Sequence, residues 1–221
     1  MKRLLPLMCL IATAAIELSA ATVRGRVGFV TKRGQRPNPA ETLVWLEPAV
    51  ESKSVRSAGA TYAMTTRSKT LQPHVLAVPA GSTIAFPNED PISHNLFSLS
   101  VANTFDLGLY RKGAGKTQKF DTPGVVNVYC NVHPNMSAVI HVMPTPYYVF
   151  ADVNGNYAIE APDGSYRLFA WNEQGGLAES KIEVGAARIT GNVALVIDSR
   201  SQRRTQHTNK FGKAYQAPRD Y

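Results

Sequence analysis

Short apolar runs broken by turn-forming residues repeat along the chain from about residue 22 to residue 143. The runs are rich in Val, Ile, Phe and Tyr, whereas Gly, Pro and Asn recur between them. Runs bounded in this way predict β-strands, here over 23–30, 42–46, 75–78, 83–86, 95–99, 116–120, 125–129 and 138–143. Many short strands at close spacing indicate a β-sandwich or a barrel. The stretch 51–70, rich in Ser, Thr, Ala, Lys and Arg, is predicted to be a loop or a short helix.

A second series of strands follows the joint Pro144-Thr145-Pro146. Apolar and aromatic positions recur on both sides of turns at 152–156 and 162–164, and they continue to about residue 198. A proline-rich joint between two such series indicates a domain boundary. The pattern therefore predicts an all-β protein with two consecutive domains, at 21–143 and 147–198.

The first twenty residues have the order of a secretory signal peptide. Lys2 and Arg3 precede a mostly apolar stretch over 4–16, and small residues follow at 19–21. This order favours a signal peptide over 1–20 rather than a buried N-terminal helix. No later stretch approaches the 18 or so apolar residues of a membrane span. We expect an exported protein, periplasmic or secreted, that does not span a membrane.

Composition and charge narrow the possible partners. Of the 221 residues, 44% are hydrophobic, which is enough for a sizeable core. Loss of residues 1–20 would change the formal charge from +8 to +7. An exported basic protein is not expected to bind nucleic acid, and its charge fits an acidic partner or a polyanionic surface. Much of the charge lies in 199–221, which is predicted to be a flexible basic tail.

Cysteine usage points to one position. Cys9 and Cys130 are the two cysteines, too few for a disulfide scaffold or a four-cysteine metal site. Because Cys9 lies in the predicted signal peptide, the mature chain would carry Cys130 alone. A single thiol in an oxidising compartment is a liability unless it is buried, paired between chains or bound to a metal.

The residues after Cys130 favour metal binding. Cys130, His133 and Met136 lie three residues apart in the segment 129–136 (YCNVHPNM), directly after a predicted strand. A thiolate and a thioether are soft ligands, which suit copper better than magnesium or calcium. Each residue also has a purely structural interpretation, since a lone buried cysteine or methionine most often belongs to the core.

A His₂Cys set with a weak axial Met, the blue-copper arrangement, needs a second histidine. His94 is the candidate, because it follows a strand and its turn and is followed by Asn95. His74 and His207 are weaker candidates, and His141 is predicted to be an exposed strand residue. Glu89 and Asp90 would place negative charge near His94 and lower the reduction potential.

The segments around His94 and Cys130 resemble the cupredoxins, the small blue-copper proteins, and the short spacing around His133 is similar to their amicyanin-like members. The resemblance implies a Greek-key β-sandwich and one type 1 copper site with ligands His94, Cys130, His133 and Met136. It also implies that Asn95, behind the ligands, ties the His94 loop to the cysteine loop.

Residues 147–198 resemble the small transthyretin-like, carboxypeptidase-regulatory-like β-domain. The match lies in the runs 152–157 and 162–166 and in Trp171. Most of residues 22–198, and 84–143 above all, is similar to exported cupredoxin-like proteins called methylamine-utilisation proteins, in which both kinds of domain are joined.

These resemblances imply a copper protein that transfers single electrons and is not an enzyme. The implied partner is a redox protein such as a c-type cytochrome or a periplasmic dehydrogenase. Two alternatives stay open: a copper-carrying or partner-docking module without electron transfer, and a structural protein that binds no copper.

Overall fold

The computed structural model describes residues 20–50, 60–185, 192–201 and 207–215. Over these residues the regular structure is β-strand, apart from 3-10 turns at Pro39–Glu41, Val101–Asn103 and Ser199–Ser201. The all-β prediction is therefore confirmed. No helix in the described part of the chain is long and apolar enough to cross a membrane. The predicted signal peptide lies outside the described residues, except for Ala20.

The strands follow one another in chain order. The described ranges contain β1 (Ala20–Val30), β2 (Leu43–Pro48), β3 (Thr61–Ala63), β4 (Thr65–Arg67), β5 (Thr70–Gln72), β6 (Val75–Pro79), β7 (Ser82–Asn88), β8 (Leu96–Ser98), β9 (Phe105–Asp106), β10 (Gly113–Phe120), β11 (Gly124–Cys130), β12 (Ser137–Met143), β13 (Tyr148–Phe150), β14 (Asn156–Pro162), β15 (Gly164–Asn172), β16 (Gly176–Val184) and β17 (Val193–Asp198). Two of them, β3 and β4, lie in the stretch predicted to be a loop or a short helix.

Strands β3 to β12 form one two-sheet unit. One sheet has the order β10-β7-β4-β5, with β3 beside β7, and the other has the order β6-β12-β11-β8-β9. Alternate residues of β7 are buried, among them Ile84 and Phe86, so one face of this strand lines the core. The core between the sheets also contains Phe120, Val126 and Ile140.

The remaining strands form a second unit from both ends of the chain. Its sheets have the orders β14-β1-β17 and β13-β2-β15-β16. One apolar core joins residues of β1 and β2, such as Val23 and Leu46, to residues of the later strands, such as Ile159 and Leu168. The sequence-based division assigned β1 and β2 to a domain over 21–143, but the strand pairing attaches both to the C-terminal strands. In the chain, β3 to β12 are thus inserted between β2 and β13.

Strand β1 is held between two partners. It pairs antiparallel with β14, where Val23 faces Ile159, and parallel with β17, where Val27 faces Leu195. At Gly25 a Cβ atom would lie 2.0 Å from the carbonyl oxygen of Val193, so a side chain cannot fit there. Long-range pairing therefore places β1, a result that the local pattern of β1 could not predict.

The two units contact each other around His141. Its ring centroid lies 4.2 Å from that of Trp171 and 6.3 Å from that of Trp45. The prediction that His141 is exposed is wrong, since it is only 5% exposed. Burial lowers the pKa of His141 to about 4. Nearby, Nε2 of His74 lies 2.6 Å from a carboxylate oxygen of Glu173, which joins the two units by a second polar contact.

Part of the basic tail is ordered against the inserted unit. Residues 207–215 lie beside β11, with the His207 ring stacked on Tyr129 at a centroid distance of 4.1 Å. The structure therefore differs from the flexible tail predicted over 199–221. The difference arises because these residues form hydrogen bonds and a ring stack, which local composition does not reveal. Residues 202–206 and 216–221 lie outside the described part.

Candidate metal centre

Strand pairing brings the two candidate ligand segments together. Cys130 is the last residue of β11 and pairs with Leu96 at the start of β8. Two residues before Leu96, His94 forms an antiparallel bridge with Tyr110. The His94 segment therefore lies beside the end of β11. His133 follows Cys130 in the turn between β11 and β12.

The side chains of His94, Cys130 and His133 converge on one point. Their ligand atoms all lie within 4.8 Å of one another. Sγ of Cys130 lies 3.7 Å from Nδ1 of His94 and 3.5 Å from Nδ1 of His133. A thiolate sulfur about 2.3 Å from a metal ion and an imidazole nitrogen about 2.0–2.1 Å from it, with an angle between tetrahedral and trigonal, are about 3.5–3.8 Å apart. Both sulfur–nitrogen distances therefore fit a transition-metal ion bound between Cys130 and each imidazole.

The site is largely closed to solvent. His94 and Cys130 are fully buried, whereas His133 is only partly buried and lies in the turn. Burial, followed by the neighbouring His94, lowers the pKa of His133 and favours its neutral form. A neutral imidazole nitrogen is the form that binds a metal.

Hydrogen bonds close the turn between Cys130 and Met136. The amide of Met136 donates to the carbonyl of His133 at 3.1 Å, and the amide of Cys130 donates to the carbonyl of Met136 at 3.0 Å. Met136 is 1% exposed and shares a core cluster with Cys130. These contacts place the backbone of Met136 beside that of Cys130. The role of Met136 as an axial ligand stays a prediction.

Asp90 holds the ring of His94. Nε2 of His94 lies 3.0 Å from Oδ2 of Asp90, which leaves Nδ1 facing Cys130. The same carboxylate accepts the amides of Ser68 and Lys69 at the tip between β4 and β5. Burial raises the pKa of Asp90, but these amides and His94 outweigh it, so the net shift is downward and favours the carboxylate.

The neighbouring acid faces away from the centre. Glu89 forms an exposed ion pair with Arg67 at 2.5 Å. Of the two acids predicted to add charge near His94, it is therefore Asp90 that contacts the site. From the sequence, Asp90 is expected only to add negative charge; its position four residues before His94 is the signal that points to a direct contact.

A backbone hydrogen bond of Asn95 links the His94 segment to the Cys130 segment. Its backbone carbonyl accepts the amide of Asn131 at 2.8 Å. Its side-chain amide donates to Oδ1 of Asp106 at 2.5 Å. The backbone of Asn95 thus ties the His94 segment to the residue after Cys130, while the side chain is fixed by Asp106.

The other histidines lie elsewhere. His74 and His141 lie at the contact between the two units, and His207 stacks on Tyr129 outside the ligand group.

Several solved structures are similar to part of this chain. A purple cupredoxin from Nitrosopumilus maritimus matches at 23% identity, with a TM-score of 0.33, over 37% of this chain and 99% of the cupredoxin. An oxidised amicyanin variant matches at 16% identity, with a TM-score of 0.36, over 45% of this chain and 99% of amicyanin. A reduced amicyanin variant matches at 19% identity, with a TM-score of 0.35, over 44% and 98%. No protein-family model matches the sequence, and no curated protein matches it significantly.

Proposed function

We propose that the protein binds one copper ion through His94, Cys130, His133 and Met136 and transfers single electrons. The observation that carries the proposal is the convergence of two imidazole nitrogens on one buried thiol at 3.5 and 3.7 Å. Two imidazoles, a thiolate and, as the proposed fourth ligand, the thioether of Met136 form a donor set that selects copper over oxygen-preferring cations.

The surrounding residues hold the proposed ligands in place, which suits a metal ion that gains and loses one electron. Copper bound there would supply the Cu(II)/Cu(I) couple. Asp90 fixes the ring of His94, and the closed turn fixes His133 and Met136, so the ligands need little rearrangement. Burial of His94 and Cys130 keeps bulk water from the thiol, while His133, which is only partly buried, would be the ligand through which an electron enters or leaves.

The same proposal extends to location and partners. A signal peptide over 1–20 would direct the chain to the periplasm or to the outside of the cell. The partner would be a redox protein such as a c-type cytochrome or a periplasmic dehydrogenase. The formal charge of +7 that remains after loss of residues 1–20 favours a partner surface of opposite sign.

The test is metal addition to the purified, metal-free protein. We expect one equivalent of Cu(II) to produce an intense visible band from the thiolate–copper bond, together with reversible voltammetry. The Cys130→Ser variant is the matched control and should lack the band. Rapid transfer of copper to a weak chelator without reversible voltammetry would instead support a copper carrier. Binding of zinc alone, or of no metal, would refute the proposal.

A further inference from the structure

We propose that residues 207–215, here called the tail strap, brace the metal centre from outside and slow the loss of its metal. This inference rests on the proposed copper site and adds a positioning element to it. The strap is supplied by the end of the chain, beyond the last strand of the C-terminal unit, yet it docks on the inserted unit that carries the ligands.

The strap holds the peptide group of Cys130. The hydroxyl of Tyr215 donates to the carbonyl oxygen of Cys130 at 2.7 Å. On the other side of the same residue, the amide of Cys130 donates to the carbonyl of Met136 at 3.0 Å. The backbone of the thiol ligand is therefore fixed from both directions, and one of the two contacts comes from the strap.

Lys210 contacts Asn131, which follows Cys130, and is linked through Asp106 to Asn95, which follows His94. Its amide donates to Oδ1 of Asn131, the residue after Cys130, at 3.1 Å. Its Nζ lies 2.6 Å from Oδ2 of Asp106. The other oxygen of that carboxylate accepts the side-chain amide of Asn95, the residue after His94. One strap residue thus connects to both ligand segments, directly or through a single carboxylate.

The strap has its own internal structure, which suits it to a bracing role. Oδ1 of Asn209 accepts the amides of Phe211 and Lys213, and the amide of Asn209 donates to the carbonyl of Lys213. The His207 ring stacks on Tyr129, and its Nδ1 lies 3.2 Å from the hydroxyl of Tyr215. A segment that is ordered by its own contacts loses less conformational freedom when it docks.

The geometry makes the strap an outer support for the ligand loops. Groups that orient metal ligands from behind typically change metal affinity by about 10- to 100-fold when they are removed. The strap contacts the backbone carbonyl of Cys130 and the side chain of Asn131. Its loss would therefore loosen the cysteine loop without removing any ligand.

The experiment compares full-length variants. Lys210→Met combined with Tyr215→Phe removes two side-chain contacts of the strap, the one to Asp106 and the one to the carbonyl of Cys130. The backbone bond from Lys210 to Asn131 and the His207 stack remain. Lys213→Met changes an exposed strap lysine and serves as the matched control. For copper-loaded protein we measure the rate of copper transfer to a chelator, the visible band and the reduction potential. For metal-free protein we measure amide hydrogen exchange at Asn131.

We expect the double variant to lose copper about tenfold faster than the wild type, with a shifted visible band and faster exchange at Asn131. Lys213→Met should behave as the wild type, and the conservative variant Lys210→Arg, which keeps a positive charge facing Asp106, should lose copper as slowly as the wild type. Unchanged copper loss, spectrum and exchange in the double variant would overturn the inference. If the wild type binds no copper, the proposed function fails, whereas exchange at Asn131 still decides whether the strap braces the loop.

Discussion

Nε2 of His94 lies 3.0 Å from Oδ2 of Asp90, with the two side chains only 0% and 9% exposed. Asp90 therefore fixes the ring of His94 through Nε2, while the other ring nitrogen, Nδ1, faces Cys130. Asp90 is itself held by backbone amides at the tip of the β4–β5 hairpin. A hairpin of the opposite sheet thus sets the orientation of a candidate metal ligand.

Removing this carboxylate should weaken metal binding without removing a ligand. Asp90→Ala leaves the ring of His94 free to turn, and we expect the affinity for copper to fall by about tenfold or more. Competition titration with a chelator measures the change. Glu89→Ala is the control, because Glu89 pairs with Arg67 at the surface and should leave the affinity close to that of the wild type. Equal affinities for the Asp90→Ala variant and the wild type would show that the contact does not position His94.

The four proposed ligands should respond differently to substitution. Cys130→Ser removes the thiolate and should abolish the visible band. Met136→Leu keeps the buried volume but removes a weak donor that favours Cu(II), so copper and colour should remain while the reduction potential rises. Visible spectroscopy and voltammetry on the loaded proteins measure both effects. Loss of all copper binding in Met136→Leu would show that Met136 is more than a weak axial ligand.

His141 should make the metal-free protein less stable in acid. Its pKa is about 4 in the folded protein and near 6.5 in the unfolded chain, so the unfolded chain binds more protons between these values. Stability is therefore fully present above pH 6.5 and is lost as the pH falls towards 4, by up to about 3 kcal/mol.

Denaturant unfolding at a series of pH values tests this expectation. His141→Phe retains an aromatic ring between Trp45 and Trp171 but cannot be protonated. The free energy of unfolding of this variant should fall less between pH 6.5 and pH 4 than that of the wild type. The other histidines are common to both proteins, so their contributions cancel in this comparison. If the free energy of unfolding fell equally with pH in both proteins, His141 would not be the group responsible.

The inserted unit should fold without the strands that precede it. A fragment over 60–143 contains β3 to β12 and their core, whereas a fragment over 21–143 also carries β1 and β2 without their partners. We expect the shorter fragment to be soluble and cooperative in thermal unfolding and to bind copper more weakly than the full chain, since it lacks the tail strap. The longer fragment should aggregate, because Val23 and Leu46 lose the core they share with the later strands. A stable, monomeric 21–143 fragment and an unfolded 60–143 fragment would support the sequence-based division instead.

Local sequence determined much of the secondary structure and the chemistry of the candidate site. Strands β7 and β11 fall on runs that the apolar pattern predicts, because burial alternates between successive residues of a strand that has one face in the core. The spacing of Cys130, His133 and Met136 places three donor types on one turn, so the cysteine segment is recognisable without the fold.

The tertiary structure decided which strands share a core and what surrounds the ligands. The local pattern of β1 is equally compatible with either unit, and its attachment depends on pairing with β14 and β17, more than 120 residues later. His141 alternates like an exposed residue, but the aromatic rings of the other unit cover it. Contacts between distant parts of the chain bring Asp106 and the tail strap to the ligand segments, and the β4–β5 hairpin to Asp90. Such contacts depend on how all the strands pack together, so they cannot be predicted from a short stretch of sequence.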